Sequence, residues 1–270
     1  MNQQLPLLGV AAPIARLPEY RDWLIRDQRP LELQDPFASL DRFEGDVSDL
    51  VAQARSYLDG YQGSLGLHGP FVSLPLAAGD PRIRQVVSDR YMRALEFGAE
   101  LGARHMVLHS PFAIFGLPMV EHTGQAHLQA MIAAVHATLE RPLALALEIG
   151  CRLVIETIAD VNPMPLCALV ASFDRGVGLS IDVGHNLITE QFGGPPPHGW
   201  VEAAGDLLAH VHLQDGDGVV DRHWQPGQGR MNWPALFAAL HKAPQDTVLI
   251  IEVTDGLQAA AWLAERGFAR

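Results

Sequence analysis

Residues 153–184 read LVIETIADVNPMPLCALVASFDRGVGLSIDVG, and this stretch decides the fold. Two apolar runs, LVIET at 153–157 and VGLSIDVG at 177–184, flank a helical pattern over 163–173. Short runs that are apolar throughout read as strands buried on both faces, and two of them joined through a helix read as one unit of a parallel sheet. The same alternation repeats outward in both directions. Strand-like runs lie near 7–12, 31–34, 64–69, 105–110, 210–214 and 247–253, and helical patterns near 46–59, 122–148, 198–208, 232–242 and 256–266. The clearest helix starts at Asp80, a good N-cap, with Pro81 at its first position. Its apolar residues are Ile83, Val87, Tyr91, Ala94, Gly98 and Leu101, and Gly102 stands where a left-handed C-cap belongs.

Repeated strand–helix units need right-handed crossovers, which build either a closed barrel or an open doubly wound sheet. Eight strands favour an α/β fold of the (β/α)8, or TIM, barrel type. The open alternative lacks its usual marks, since no GxGxxG follows the first strand and no GxxxxGK[ST] occurs. The GGPPPHG stretch at 193–199 is a surface loop, because strand and helix patterns resume on both sides of it. One domain over 1–270 is expected.

With 48% hydrophobic and 19% charged residues, a chain of 270 residues has material for one large core. Formal charge is −12, which repels polyanions, and no Lys/Arg run supplies a basic patch, so nucleic acid is not the expected partner. Cys151 and Cys167 have no CxxC spacing and read as small core residues. The start lacks a basic segment followed by an apolar one, and no stretch reads as a membrane span, so a soluble, cytoplasmic protein is expected. Nothing in the pattern selects an oligomer, although barrels of this kind often pair through their rims into homo-oligomers.

The chemistry is carried by polar residues at strand ends, where a buried carboxylate or imidazole needs a partner or a task. LVIET carries Glu156, SIDVGHN carries Asp182 and His185, HVHLQD carries His212 and Asp215, and LIIEV carries Glu252. Earlier runs carry Glu32, His68 and His109. A (β/α)8 barrel brings the C-terminal ends of all strands to one face. Glu156, Asp182, His212 and Glu252 then offer three carboxylates and one imidazole, a set that suits Mn2+, Zn2+, Co2+ or Mg2+. Any single histidine among His68, His109 and His185 is as readily explained by an ordinary hydrogen bond. The segment GDGVVDRHWQPGQGRMNW at 216–233 reads as a long loop over the mouth. Asp221 and His223 in it either bind a second ion or simply hold the loop together.

HGPF, LHSPF, IET, SIDVGH, HVHLQDGDG, DRHWQPGQGRMNW and IIEV, taken in order, resemble the superfamily of xylose-isomerase-like barrels, which includes sugar isomerases and epimerases and the endonuclease IV family. The resemblance runs from about His68 to Glu252. It implies that Glu156, Asp182, His212 and Glu252 hold the metal shared by the epimerases. His185 would contact substrate in an epimerase or bind metal in endonuclease IV. His68, His109, Asp221 and His223 fall where endonuclease IV holds further zinc. The chain departs from that branch after His68, where GPFVSLPLAAGDPRIR is not the aromatic and polar loop that enters DNA.

Two enzymatic readings follow. The first is a metal-dependent isomerase or epimerase of a small polyhydroxy carbonyl compound, without a nucleotide cofactor. Glu156 and Glu252 serve there as base and acid, His185 steadies the developing oxyanion, and His68, His109, Arg222 and Trp224 contact substrate. Phe71, Phe112, Phe115 and Trp224 either wall the site or anchor loops. The second is a zinc phosphodiesterase of the endonuclease IV kind acting on abasic DNA. A barrel that only binds a small molecule is a third, non-enzymatic reading.

Overall fold

The computed structural model describes residues 5–38, 40–112 and 117–270, with side chains except those of 117–125. Eight parallel strands close in sequence order: β1 Leu8–Ala12, β2 Leu31–Leu33, β3 Leu65–His68, β4 His105–His109, β5 Arg152–Glu156, β6 Val177–Asp182, β7 Leu208–Leu213 and β8 Val248–Ile251. Closure is made by β1 pairing with β8, with Gly9 opposite Ile250. The outer helices are α1 Leu17–Asp27, α2 Asp35–Ala38, α3 Ser48–Tyr57, α4 Pro81–Leu101, α5 Leu117–Ile149, α6 Pro163–Ala171, α7 Val183–Glu190, α8 Pro197–Ala204, α9 Trp233–Leu240 and α10 Gly256–Glu265. The fold is therefore the expected (β/α)8 barrel, and all eight expected strands are present.

The α4 termini form as their residues dictate. The Asp80 carboxylate accepts from Arg82 N, and Gly102 takes a φ of +72°, where a side chain would be strained. Ile83, expected on its apolar face, is instead exposed. Three helices escape the sequence reading. The four-residue α2 is too short to show a period. The charged α1 buries only Leu17, Tyr20 and Leu24. The apolar run of β6 continues without punctuation into α7, so the expected strand to residue 184 stops at Asp182.

One further expectation needs correction. The stretch Ala126–Ile149 of α5 is long and apolar enough to cross a membrane, with a mean hydropathy of 1.3. In the fold it lies in the outer ring against α4. Val135, Leu139 and Ala146 on it are buried in the core, and Arg141 pairs with Asp89 of α4 at 2.6 Å. Cys151 is buried, as expected of a small core residue, whereas Cys167 is only half-buried at the edge of the core.

Candidate metal centre at the barrel mouth

His68, His109, Glu156 and Asp182 are the last residues of β3, β4, β5 and β6. His212 is the next-to-last of β7, and Glu252 follows β8 directly. Parallel closure thus brings six side chains from six strands to one end of the barrel. Glu156, Asp182, His212 and Glu252 each present a ligand atom within 4.8 Å of the others, and all four are buried or nearly so. His212 Nδ1 stands 2.6 Å from Glu156 Oε1 and 3.4 Å from Glu252 Oε2. Asp182 also caps α7 by accepting from His185 N at 2.7 Å, and it is held by Gln214 Nε2 at 3.0 Å.

A second group shares Glu156. Its Oε2 is buried without a hydrogen-bond partner, with His109 Nε2 at 3.5 Å and His68 Nε2 at 3.7 Å. Two ligand atoms each about 2.0–2.1 Å from a tetrahedral ion stand roughly 3.3 Å apart, so these gaps suit atoms meant to share an ion. A third group surrounds Asp221, whose Oδ2 faces His223 Nε2 at 2.9 Å and His185 Nε2 at 3.3 Å. His223 takes a left-handed φ of 49°, a conformation a histidine rarely adopts.

The outer nitrogens fix the tautomers. His68 Nδ1 lies 3.0 Å from Gly69 O, His185 Nδ1 lies 2.9 Å from Thr157 O, and His223 Nδ1 lies 2.8 Å from Glu252 O. A carbonyl only accepts, so each ring carries a proton on Nδ1, and its Nε2, which faces a carboxylate, is the nitrogen that would give up its proton to an ion. His212 is oriented the other way. Its Nε2 donates to Glu32 Oε1 at 2.8 Å and Nδ1 faces the mouth. Orphaned Glu156 Oε2, four rings with assigned ligand nitrogens and three converging carboxylates fit a divalent ion.

The expected substrate contacts divide. His68 and His109 are at the mouth, and the Phe71 ring stacks on His109 at 3.9 Å between centroids. Phe37, which sequence reading passed over, packs against both Phe71 and His68. Phe71 and His109 also line an adjoining cavity of about 290 Å3 that includes Leu74, Ser110 and Met131. Phe112 is fully buried and anchors its loop, and Phe115 lies outside the described residues. Arg222 does not join the cluster. Its guanidinium is engaged by Asp217 at 2.8 Å and sits over the Trp224 ring at 5.4 Å, so the two residues brace the loop together. Neither Arg152 nor Arg222 pairs with a mouth carboxylate among the described ion pairs.

Sequence reading singled out Glu32 but missed its partners His105 and His210, and with them a polar layer inside the barrel. Glu32, His105 and His210 are buried, with Glu32 Oε2 3.1 Å from His105 Nε2 and 3.2 Å from His210 Nε2. Burial opposes charge on Glu32, but His212 and the hydrogen bonds from His105 and its neighbours hold the carboxyl well below its ordinary value. Burial pushes His210 down to about 4. An unfolded histidine titrates near 6.5, so between those values the unfolded chain binds the extra proton. Stability falls as pH drops through that window, by on the order of 3 kcal/mol at pH 4 from His210 alone. His212 opposes burial through Glu252, Glu32 and Glu156 and is held well above its ordinary value, so its stabilisation is already complete at the top of this window and does not offset the loss. Stability from His223, whose ring is raised to about 9, is lost instead as pH rises through that value. His109, pushed by burial to about 3, adds to the acid loss, and Asp160, raised by burial to about 6, opposes it to a similar extent, so the urea midpoint of metal-free protein is expected to peak at about pH 6.5. A midpoint unchanged from there to pH 4 would contradict the buried neutral His210.

Fold and mouth together define a (β/α)8 barrel with a carboxylate–imidazole donor set suited to a divalent metal. The chain belongs to the Xylose isomerase-like TIM barrel family, which it matches over residues 31–269. It is 23% identical to the uncharacterized protein MJ1311 of Methanocaldococcus jannaschii over 204 residues, covering 72% of this chain and 66% of that protein. The chain spans 50 to 66% of the lengths of the curated relatives it matches. Among solved structures it is similar to the TTHB071 protein of Thermus thermophilus soaked with ZnCl2, at 26% identity and a TM-score of 0.73, covering 97% of this chain and 99% of that one. It is similar in fold to a D-tagatose 3-epimerase-like protein, at 19% identity and a TM-score of 0.74, covering 97% and 96%.

Proposed function

We propose that the protein is a metal-dependent isomerase or epimerase of a small sugar or sugar phosphate. The observation that carries this is the pair Glu156 and Glu252, which reach the same His212 Nδ1 from strands on different sides of the mouth. Glu156, Asp182, His212 and Glu252 would hold the ion, with Mn2+ or Zn2+ the best matched to one imidazole and three carboxylates. A divalent ion held there would supply Lewis acidity to a carbonyl and its neighbouring hydroxyl, which would lower the barrier to removing the proton between them.

The chain's own groups would divide the proton work. Burial alone would raise Glu156, but His212 and then His109 and His68 hold its carboxyl below the ordinary range, so it stays ionised and can accept a proton. Burial raises Glu252, which suits it to carry one. Environments that push two carboxyls apart in this way assign base and acid. His185 Nε2 is placed to steady an oxygen that gains charge, and Phe71 helps exclude water. The epimerase-like neighbour supports the reading at the level of fold.

A second reading, hydrolysis of a phosphodiester with two or three zinc ions, is favoured by one observation: the orphaned Glu156 Oε2 faces two histidine nitrogens. Against a nucleic-acid substrate, Arg222 and Arg230 of the covering loop are already paired with Asp217 and Glu190. The deciding experiment loads stripped protein with one equivalent of Mn2+ or Zn2+ and follows a ketose panel in D2O. Deuterium is expected at the carbon beside the carbonyl, only with metal. Nicking of abasic DNA by protein holding two or more zinc ions, without exchange on any ketose, would replace the first reading with the second. Tight sugar binding without either reaction would make the barrel a binding protein.

A further inference from the structure

The layer behind the mouth is polar where a barrel interior is ordinarily filled by Val, Ile and Leu. Glu32 of β2 is fully buried, and its two oxygens are divided between strands. Oε1 accepts from His212 Nε2 on β7 at 2.8 Å, and Oε2 accepts from His105 Nε2 on β4 at 3.1 Å. His210 Nε2 approaches Oε2 at 3.2 Å, while its Nδ1 is occupied by Ser180 Oγ at 2.8 Å. Room for this arrangement comes from Gly66, which lies in register between Glu32 and His105. A Cβ there would fall 2.0 Å from the His105 ring. A buried carboxylate is costly unless its lone pairs have partners, and here the partners are built in from β4 and β7.

We propose that Glu32 is the positioning residue of His212. By accepting a hydrogen bond from Nε2 it keeps the proton there and leaves Nδ1, facing Glu156 and Glu252, as the ligand nitrogen, and so sets the affinity of the mouth for a divalent ion. The inference rests on the metal reading above. A ligating histidine whose other nitrogen donates to a carboxylate is fixed in plane and made more basic, and removing such a partner costs 10- to 100-fold in metal affinity. His105 serves Glu32 in turn, holding the second oxygen so that the first stays on His212.

The test is the dissociation constant of Zn2+ or Co2+, measured by chelator competition for the native protein, Glu32→Gln, Glu32→Asp and Ser180→Ala. Glu32→Gln is expected to bind about 10- to 100-fold more weakly and to shift the visible spectrum of the Co2+ form. Glu32→Asp keeps the charge and is expected to lose less. Ser180→Ala disturbs the same buried layer through His210 without touching His212, and native-like affinity is expected there. Should Glu32→Gln fail to fold, the long-range 1H–15N spectrum of the native Zn2+ form decides. His212 must keep a proton on Nε2 and bind through Nδ1, and a ring bound through Nε2 overturns the proposal. Equal affinity in native and Glu32→Gln protein overturns this inference alone. A native protein that takes up no divalent ion removes the metal reading and this inference with it.

Discussion

Glu252→Gln is expected to slow metal-dependent deuterium exchange by about 100- to 10,000-fold, the usual contribution of one positioned acid–base group. The substitution preserves shape. Glu252 Oε1 accepts from Gln34 Nε2 at 3.1 Å, a contact a glutamine oxygen can keep, while Oε2 stands 3.4 Å from His212 Nδ1. What disappears is the titrating proton. Burial raises the Glu252 carboxyl while His212 and its neighbours hold Glu156 down against burial, so the two are not interchangeable. Glu156→Gln removes the ionised partner and leaves His68, His109 and His212 without their shared carboxylate, so it is expected to lower both metal uptake and exchange. Glu252→Gln should instead lose exchange more steeply than metal affinity. Measuring the two together separates ligand from acid. Full exchange in Glu252→Gln would end the two-carboxylate mechanism, whatever happened to the metal.

The mouth was legible in the sequence because its residues break a local rule. A carboxylate closing LVIET or LIIEV contradicts the apolar run before it, and eight such runs allow one closed arrangement that gathers them. Glu32, His105 and His210 break the same rule, but they lie on three different strands, and His210 is masked by His212 two residues on. Only closure of β2, β4 and β7 around one carboxylate reveals them as a set. α7 was hidden for another reason. Asp182 is both the last strand residue and the helix cap, so a strand, a helix terminus and a candidate ligand coincide at one position. Arg222 was read as a substrate contact because a loop arginine beside the candidate ligands Asp221 and His223 looks available. Its true partner, Asp217, is five residues away within the same loop.

Asp215→Ala is expected to be the most destabilising change near the site. This fully buried carboxylate holds the covering loop from inside. Oδ1 accepts from Gly216 N at 2.9 Å and Met231 N at 3.0 Å, while Oδ2 accepts from Gly227 N at 2.8 Å and Trp233 Nε1 at 3.2 Å. Its backbone also pairs with Trp224 in both directions at 3.0 Å. The packing is close enough that a Cβ on Gly229 would meet Asp215 Oδ1 at 2.3 Å. Alanine would strand four donors, each worth about 1–3 kcal/mol if left unpaired, and partial access to water brings the expected loss to roughly 3–5 kcal/mol. Asparagine is no rescue, because its amide nitrogen must face two of those donors with hydrogens of its own. Asp215→Asn should therefore resemble Asp215→Ala more than the native protein. Both should expose 216–232 to protease and, by freeing Asp221 and His223, weaken metal uptake at the outer group before the inner one. The inner ligands sit on or directly after strands, whereas the outer pair is carried by this loop and tied to the barrel by Gln214 and the Glu252 carbonyl. An Asp215→Asn protein with native urea midpoint and native protease resistance would show that the loop is fixed by its glycines and aromatic packing, with the carboxylate dispensable.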